Sequence, residues 1–156
     1  MIVRPLVADD RDGWEPLWRG YLEFYRVQVP PEVSDLTFAR LTSGREPMGG
    51  FVAEDNTGEH QTDKREIGKL VGIVHWITHR SCWTAGDYCY LQDLFVAPDL
   101  RGGGVGRALI EAVYDKSRSL GCSRVHWLTH ETNTHAMLLY DRIADRSGFV
   151  QYRKIF

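Results

Sequence analysis

The run Leu91-Gln92-Asp93-Leu94-Phe95-Val96-Ala97-Pro98-Asp99-Leu100-Arg101-Gly102-Gly103-Gly104-Val105-Gly106-Arg107-Ala108-Leu109 constrains this chain more than any other part of it. A short apolar strand stops at a proline, an arginine opens a glycine cluster, and an amphipathic helix begins at once. That order leaves bare backbone N–H groups at a helix N-terminus, a ready site for phosphate. The helix, expected over Gly104–Leu120 and closed by Gly121, carries Val105, Leu109, Ala112 and Val113 on one stripe. Packing of that stripe against a sheet fixes where the helix N-terminus points. Gly102, Gly103 and Gly104 have no Cβ atoms to hold a pyrophosphate away from the backbone, and Arg101 and Arg107 add positive charge. Two other phosphate motifs fail on residue identity. A G-x-G-x-x-G fingerprint begun at Gly102 needs glycine where Arg107 stands. A P-loop begun there meets the same arginine and has no Lys-Ser/Thr pair behind it.

At 156 residues, with 43% hydrophobic and 26% charged residues, the chain is expected to form one soluble domain, residues 1–156, with a core that needs no staples. Net charge is −2 and no Arg/Lys stripe occurs, which argues against nucleic acid as a partner. No stretch approaches the ~20 apolar residues of a membrane helix, so no membrane partner is expected. Cys82, Cys89 and Cys122 have no metal-ligand spacing, and no metal is expected. The N-terminus shows no apolar signal region, and a cytoplasmic protein with reduced cysteines fits best.

Periodicity predicts a strand over Ile2–Val7, then a helix with Trp14, Leu17, Trp18, Tyr21, Leu22 and Tyr25 at helical spacing. Asp12 and Glu15 read as its D-x-x-E cap, and Pro30-Pro31 as its stop. A second helix is expected over Glu32–Thr42, ending at Gly44. Strands follow at Phe51–Glu54, Ile67–Thr78 and Asp87–Val96, with a solvated hairpin loop over residues 55–66. After the glycine-led helix come a strand at Arg124–Thr129, a helix at Asn133–Arg146 and a last strand at Phe149–Ile155.

Arg101, Gly104 and Gly106 match Arg-x-x-Gly-x-Gly, and the chain thereby resembles the GCN5-related N-acetyltransferase (GNAT) superfamily. Asn133, Ala136 and Tyr140 are similar to its second motif, Asn-x-x-Ala-x-x-x-Tyr. The spacing from Tyr140 to Gly148-Phe149 resembles the small fungal histone/polyamine acetyltransferases and their bacterial relatives, and the segment Tyr90–Val96 is similar to the diamine acetyltransferases. The resemblance implies an α/β fold with a mixed, twisted central sheet of six to seven strands and helices on both faces. It implies acetyl-CoA as co-substrate and transfer of its acetyl group to a primary amine by direct attack in a ternary complex. By the same resemblance, Arg101, Gly102, Gly103, Gly104, Val105, Gly106 and Arg107 would hold the pyrophosphate. Leu94, Phe95 and Val96 would offer backbone groups to the pantetheine amides, as to an added strand. Asn133 and Ala136 would flank that arm, and Tyr140 would protonate the leaving thiolate.

That proton transfer is chemically sound. A thiol has pKa ~8.5, and a neutral phenol of pKa ~10 can protonate its thiolate. The acceptor side is less determined. Resembled enzymes usually carry glutamate where this chain has Gln92, which accepts no proton at ordinary pH. An alkylamine of pKa ~10.4 is only about one part in two to three thousand neutral at pH 7, so a proton route is needed. Simple alternation puts Asp93 on the strand face opposite Gln92. His79, His130 and Glu131 are alternatives, and the base stays open. Resembled acceptors lie between the first helices and the strand carrying Gln92. There Tyr21, Tyr25, Trp76 and Trp83 can wall a pocket and stack on a cation, with Glu23 and Glu131 as charges. The acceptor is a small-molecule amine or a protein lysine. An acyl-CoA-binding regulatory module with little or no transferase activity is the alternative, favoured by Gln92 alone. A structural interaction domain is a third reading. The β-prone terminus Phe149–Phe156 predicts a homodimer, unless Ile155 and Phe156 fold back onto their own core.

Overall fold

A computed structural model describes residues 1–55 and 68–156. The expected hairpin loop therefore lies almost wholly outside the described residues. Five strands form one mixed sheet in the order β1-β2-β3-β4-β5: β1 Ile2–Pro5, β2 Met48–Asp55, β3 Lys69–His79, β4 Tyr88–Val96 and β5 Arg124–His126. The first four are antiparallel neighbours, and β5 joins β4 in parallel. Helices α1 (Arg11–Tyr25) and α2 (Pro31–Ser43) follow β1, α3 (Val105–Ser119) follows β4, and α4 (Thr134–Ile143) follows β5.

Each sheet face has its own core. On one side Trp14, Leu17 and Trp18 of α1 and Phe38 and Leu41 of α2 bury against Val52, Ile73 and Phe95. On the other, Val105, Leu109, Ile110 and Val113 of α3 bury against Val71, Val74, Trp76 and Leu91. Val105, Leu109 and Val113 therefore bury as their spacing predicts, with Ile110 in the core and Ala112 only part-buried, and the helix N-terminus is anchored beyond the C-terminal end of β4.

Several expected boundaries move for identifiable reasons. Helix α1 begins at Arg11, so Asp12 is inside the first turn and is not its cap. Asp10 holds the N-cap position, but its carboxylate is engaged elsewhere. It accepts two hydrogen bonds from Arg4 and one from the Val7 N–H. The helix stops before Pro30-Pro31, with Arg26 in the left-handed conformation (φ 54°); Pro31 instead opens α2, where it has no helical N–H to lose. Strand β5 is only three residues long, and Trp127–Thr129 leave the sheet. Helix α4 ends at Ile143.

The expected last strand, Phe149–Ile155, is not a strand, and the sheet has five strands where six to seven were expected. Nor do the terminal residues fold back. Tyr152 is 92% exposed, and Ile155 and Phe156 are exposed as well. β propensity needs a neighbouring strand to act on, and the described residues of this chain supply none there.

Candidate active site

Strands β4 and β5 pair only through Tyr88–Tyr90 and Arg124–His126, and then part. Beyond Tyr90 one edge of β4 has no strand partner among the described residues. On its other edge Ala97 N–H donates to Val71 C=O. Antiparallel alternation from that bond, along the register Gly72↔Val96, Ile73↔Phe95 and Val74↔Leu94, turns the amide groups of Phe95 toward β3. Those of Leu94 and Val96 face the open edge. The Val96 carbonyl there accepts a hydrogen bond from the Arg101 guanidinium (3.2 Å), which also lies over the rings of Phe24 and Phe95.

The glycine loop continues from that edge. Gly102 (φ 83°) and Gly104 (φ 85°) are left-handed, which favours glycine, and a Cβ on either would meet nothing within 4 Å. Gly104 is the N-cap of α3 and makes no side-chain cap bond. The first intrahelical bond runs from Ala108 N–H to Gly104 C=O (3.0 Å), so the N–H groups of Val105, Gly106 and Arg107 precede the helical ladder. A Cβ at Gly106 would touch Val96 and Leu139 at 3.8 and 3.9 Å, so β4, α3 and α4 converge there. Arg107 is ion-paired along the helix with Glu111 (2.8 Å) and largely exposed.

Helix α4 closes the far side of the opening. Asn133 is its N-cap, but its side-chain amide donates to Thr129 Oγ1 (3.2 Å) and caps nothing. Ala136 and Tyr140 are half-buried. Burial, followed by the neighbouring Tyr25, pushes the Tyr140 hydroxyl up to about 12. Tyr140 is therefore fully protonated at neutral pH, as a proton donor must be.

The expected acceptor pocket divides. Tyr25 packs against Tyr21, with ring centroids 5.0 Å apart, on the α1 side of the sheet. Trp76 is on the other side, in the core under α3, with Lys116 over its ring. It does not wall a pocket with Tyr25, because period-two alternation from His75 turns it away. Trp83 is 74% exposed in the loop before β4, near Phe149. Glu131 is exposed in the turn before α4, and Gln92 is exposed on β4. The two expected histidines serve local turns: His79 Nδ1 bonds the Arg80 carbonyl and His130 Nδ1 bonds Thr132 Oγ1.

Alternation along β4 also fails, at Gln92. The register steps from His75↔Asp93 to Trp76↔Leu91, leaving Gln92 as the extra residue of a bulge. Leu91 and Leu94 consequently pack on the same α3 side, while Phe95 packs on the α1 side. Asp93 shares the α1 side with Phe95, facing the helix that carries Tyr21 and Tyr25. Strict alternation therefore does not separate Asp93 from the acceptor side. Its Oδ2 lies 2.9 Å from Nδ1 of His75, and Trp14 Nε1 donates to His75 Nε2 at 2.9 Å. Sequence reasoning missed this chain, although a histidine inside the apolar run Leu70–Trp76 was its visible signal.

The acetyltransferase (GNAT) family model matches residues 14–144. The chain belongs to this family. It is 33% identical over 154 residues to the D-amino-acid N-acetyltransferase of Saccharomyces cerevisiae, covering 99% of this chain and 90% of that one. It is 35% identical over 77 residues to the thialysine N-epsilon-acetyltransferase of Sus scrofa, covering 49% of this chain and 45% of that protein. Among solved structures, AAC(6')-Iy in complex with the bisubstrate analogue CoA-S-monomethyl-acetylneamine superposes with a TM-score of 0.80 at 16% identity. That match covers 99% of this chain and 97% of the other. The fold is the GNAT α/β fold, and the protein is an acyltransferase. Among the described residues no helix is long and apolar enough to cross a membrane.

Proposed function

We propose that this protein transfers the acetyl group of acetyl-CoA to the primary amine of a small molecule, by direct attack in a ternary complex. The observation that carries the reading is the continuous opening from the free edge of β4 to the bare N-terminus of α3. It offers amide partners for pantetheine at Leu94 and Val96 and a phosphate cradle over Gly102–Arg107, aided by the helix dipole. Arg101 exchanges the Val96 carbonyl for phosphate when the arm enters. Ala136 lets α4 approach the arm closely. Tyr140, two turns along α4 from Asn133, donates its proton to the departing thiolate.

The acceptor enters from the α1 side, over Tyr21 and Tyr25. Amino-acid-like amines are favoured, since the yeast relative is a D-amino-acid N-acetyltransferase and the porcine one acts on thialysine. Cys82, Cys89 and Cys122 are free, in keeping with a cytoplasmic protein. We further propose a homodimer joined through residues 149–156, whose apolar side chains Val150, Tyr152, Ile155 and Phe156 are largely exposed.

Thiol release from acetyl-CoA, with D-lysine, thialysine and L-ornithine offered in turn, tests the proposal. Thiol produced only when an amine is present supports it. Acetyl-CoA binding without amine-dependent thiol release would make the protein a binding module instead.

A further inference from the structure

Asp93 is 7% exposed, His75 2% and Trp14 not at all. An indole N–H only donates. Its bond to His75 Nε2 therefore requires a lone pair on that nitrogen, and the imidazole proton must sit on Nδ1, donating to Asp93. A second proton on His75 would set N–H against N–H at 2.9 Å. Trp14 thus holds His75 as the neutral Nδ1–H tautomer, and the negative charge of Asp93 is not cancelled by its nearest partner. No lysine or arginine among the described residues pairs with it. A buried anion with a hydrogen bond but no countercharge carries a desolvation cost.

The groups facing Asp93 are phenols. Burial and then the charge of Asp93 raise the Tyr21 hydroxyl, whose ring stacks on Trp18 beside His75. Burial, Asp93 and Tyr25 raise that of Tyr90. Tyr25 in turn lies within electrostatic reach of Tyr140. A half-buried set of hydroxyls thereby lies within electrostatic reach of both the carboxylate on β4 and the tyrosine of α4.

Resting on the transferase reading above, we infer that Asp93 is the terminal proton acceptor for the incoming ammonium, reached through the Tyr21 hydroxyl, with His75 and Trp14 as positioning residues. The ammonium proton passes to the Tyr21 oxygen as the Tyr21 proton passes to Asp93, leaving a neutral amine and a protonated carboxyl. The amine nitrogen then attacks the thioester carbonyl; the C–N bond forms, the C–S bond breaks, and Tyr140 protonates the sulfur. The Tyr140 phenolate takes the surplus proton from the amide nitrogen, and Asp93 releases its proton to solvent. The β4 bulge at Gln92 leaves the next residue, Asp93, as the carboxylate on the α1 side.

The test is kcat/KM against pH for wild type, Asp93→Asn and Tyr21→Phe, using acetyl-CoA and whichever of D-lysine, thialysine or L-ornithine is turned over. Tyr21→Phe leaves the Asp93–His75 pair intact and so guards against a variant that merely fails to fold. Both variants should lose at least about 30-fold at pH 7 and under threefold at pH 10, where the amine is itself partly neutral. A deficit equal at both pH values in the folded variants, or none at pH 7, overturns the inference. The 15N shifts of His75 in the wild type give a reading that needs no turnover. One protonated nitrogen, Nδ1, is expected at pH 7; an Nε2–H tautomer or an imidazolium overturns the inference even if no amine is acetylated.

Discussion

The ring of Tyr140 meets the indole of Trp127 edge-on, with centroids 5.4 Å apart and planes inclined at 68°. Its hydroxyl is thus carried by a ring whose position does not depend on the oxygen. Tyr140→Phe should keep that packing and lose only the proton donor. We expect kcat to fall about 100-fold, acetyl-CoA affinity to stay within threefold, and thermal stability to be unchanged. Steady-state rates with calorimetric Kd check this; wild-type turnover would reduce Tyr140 to a packing residue.

Gly104 offers a charge test with a built-in control. At φ 85° any Cβ costs about 1–2 kcal/mol of backbone strain, so Gly104→Ala and Gly104→Asp share that penalty. Only aspartate adds negative charge at the α3 N-terminus. Gly104→Asp should bind acetyl-CoA at least about tenfold more weakly than Gly104→Ala by calorimetry. Equal affinities would place the pyrophosphate elsewhere.

The fold has an acid-sensitive tie at the start of α1. Burial pushes the Asp10 carboxyl up, but hydrogen bonds from Arg4 and the Val7 N–H, with the Arg4 charge, outweigh it and leave it below the usual carboxylate value. The folded protein then binds fewer protons than the unfolded chain, so the contribution is full above the unfolded value of ~3.9 and is lost as pH falls through the lower folded one. Asp10→Asn should cost about 3 kcal/mol at pH 7, the usual result of breaking a buried pair. Urea midpoints of wild type and variant should converge as the pH falls below the ordinary carboxylate range; a gap of constant size would show that the charge is not what matters.

The proposed homodimer depends on the terminal segment. Deletion of Arg153–Phe156 should shift the protein from the proposed dimer to a monomer slightly below the full-length monomer mass of 17.9 kDa, in light scattering at micromolar concentration. A full-length monomer would refute the dimer, and a dimer that survives the deletion would refute this interface.

The glycine loop and the α3 stripe were legible because both are local: backbone freedom, helix periodicity and a proline stop lie within twenty residues. The face of Trp76 was equally local in principle, since alternation from a neighbour of known side would have set it. The side taken by Asp93 was not legible, because the bulge at Gln92 exists only in the register of β4 against β3. Pairing between strands decided it, and one extra residue reverses every side chain beyond. Val150, Tyr152 and Ile155 misled for the opposite reason, since their strand propensity meets no strand among the described residues.

Direct transfer in a ternary complex is the central claim, and initial velocities at crossed concentrations of acetyl-CoA and amine test it most directly. Lines that intersect in the double-reciprocal plot, with one thiol released per acetylated amine, are the predicted result. Parallel lines, which report an acetyl-enzyme intermediate, or thiol released without acetylated amine, would contradict it.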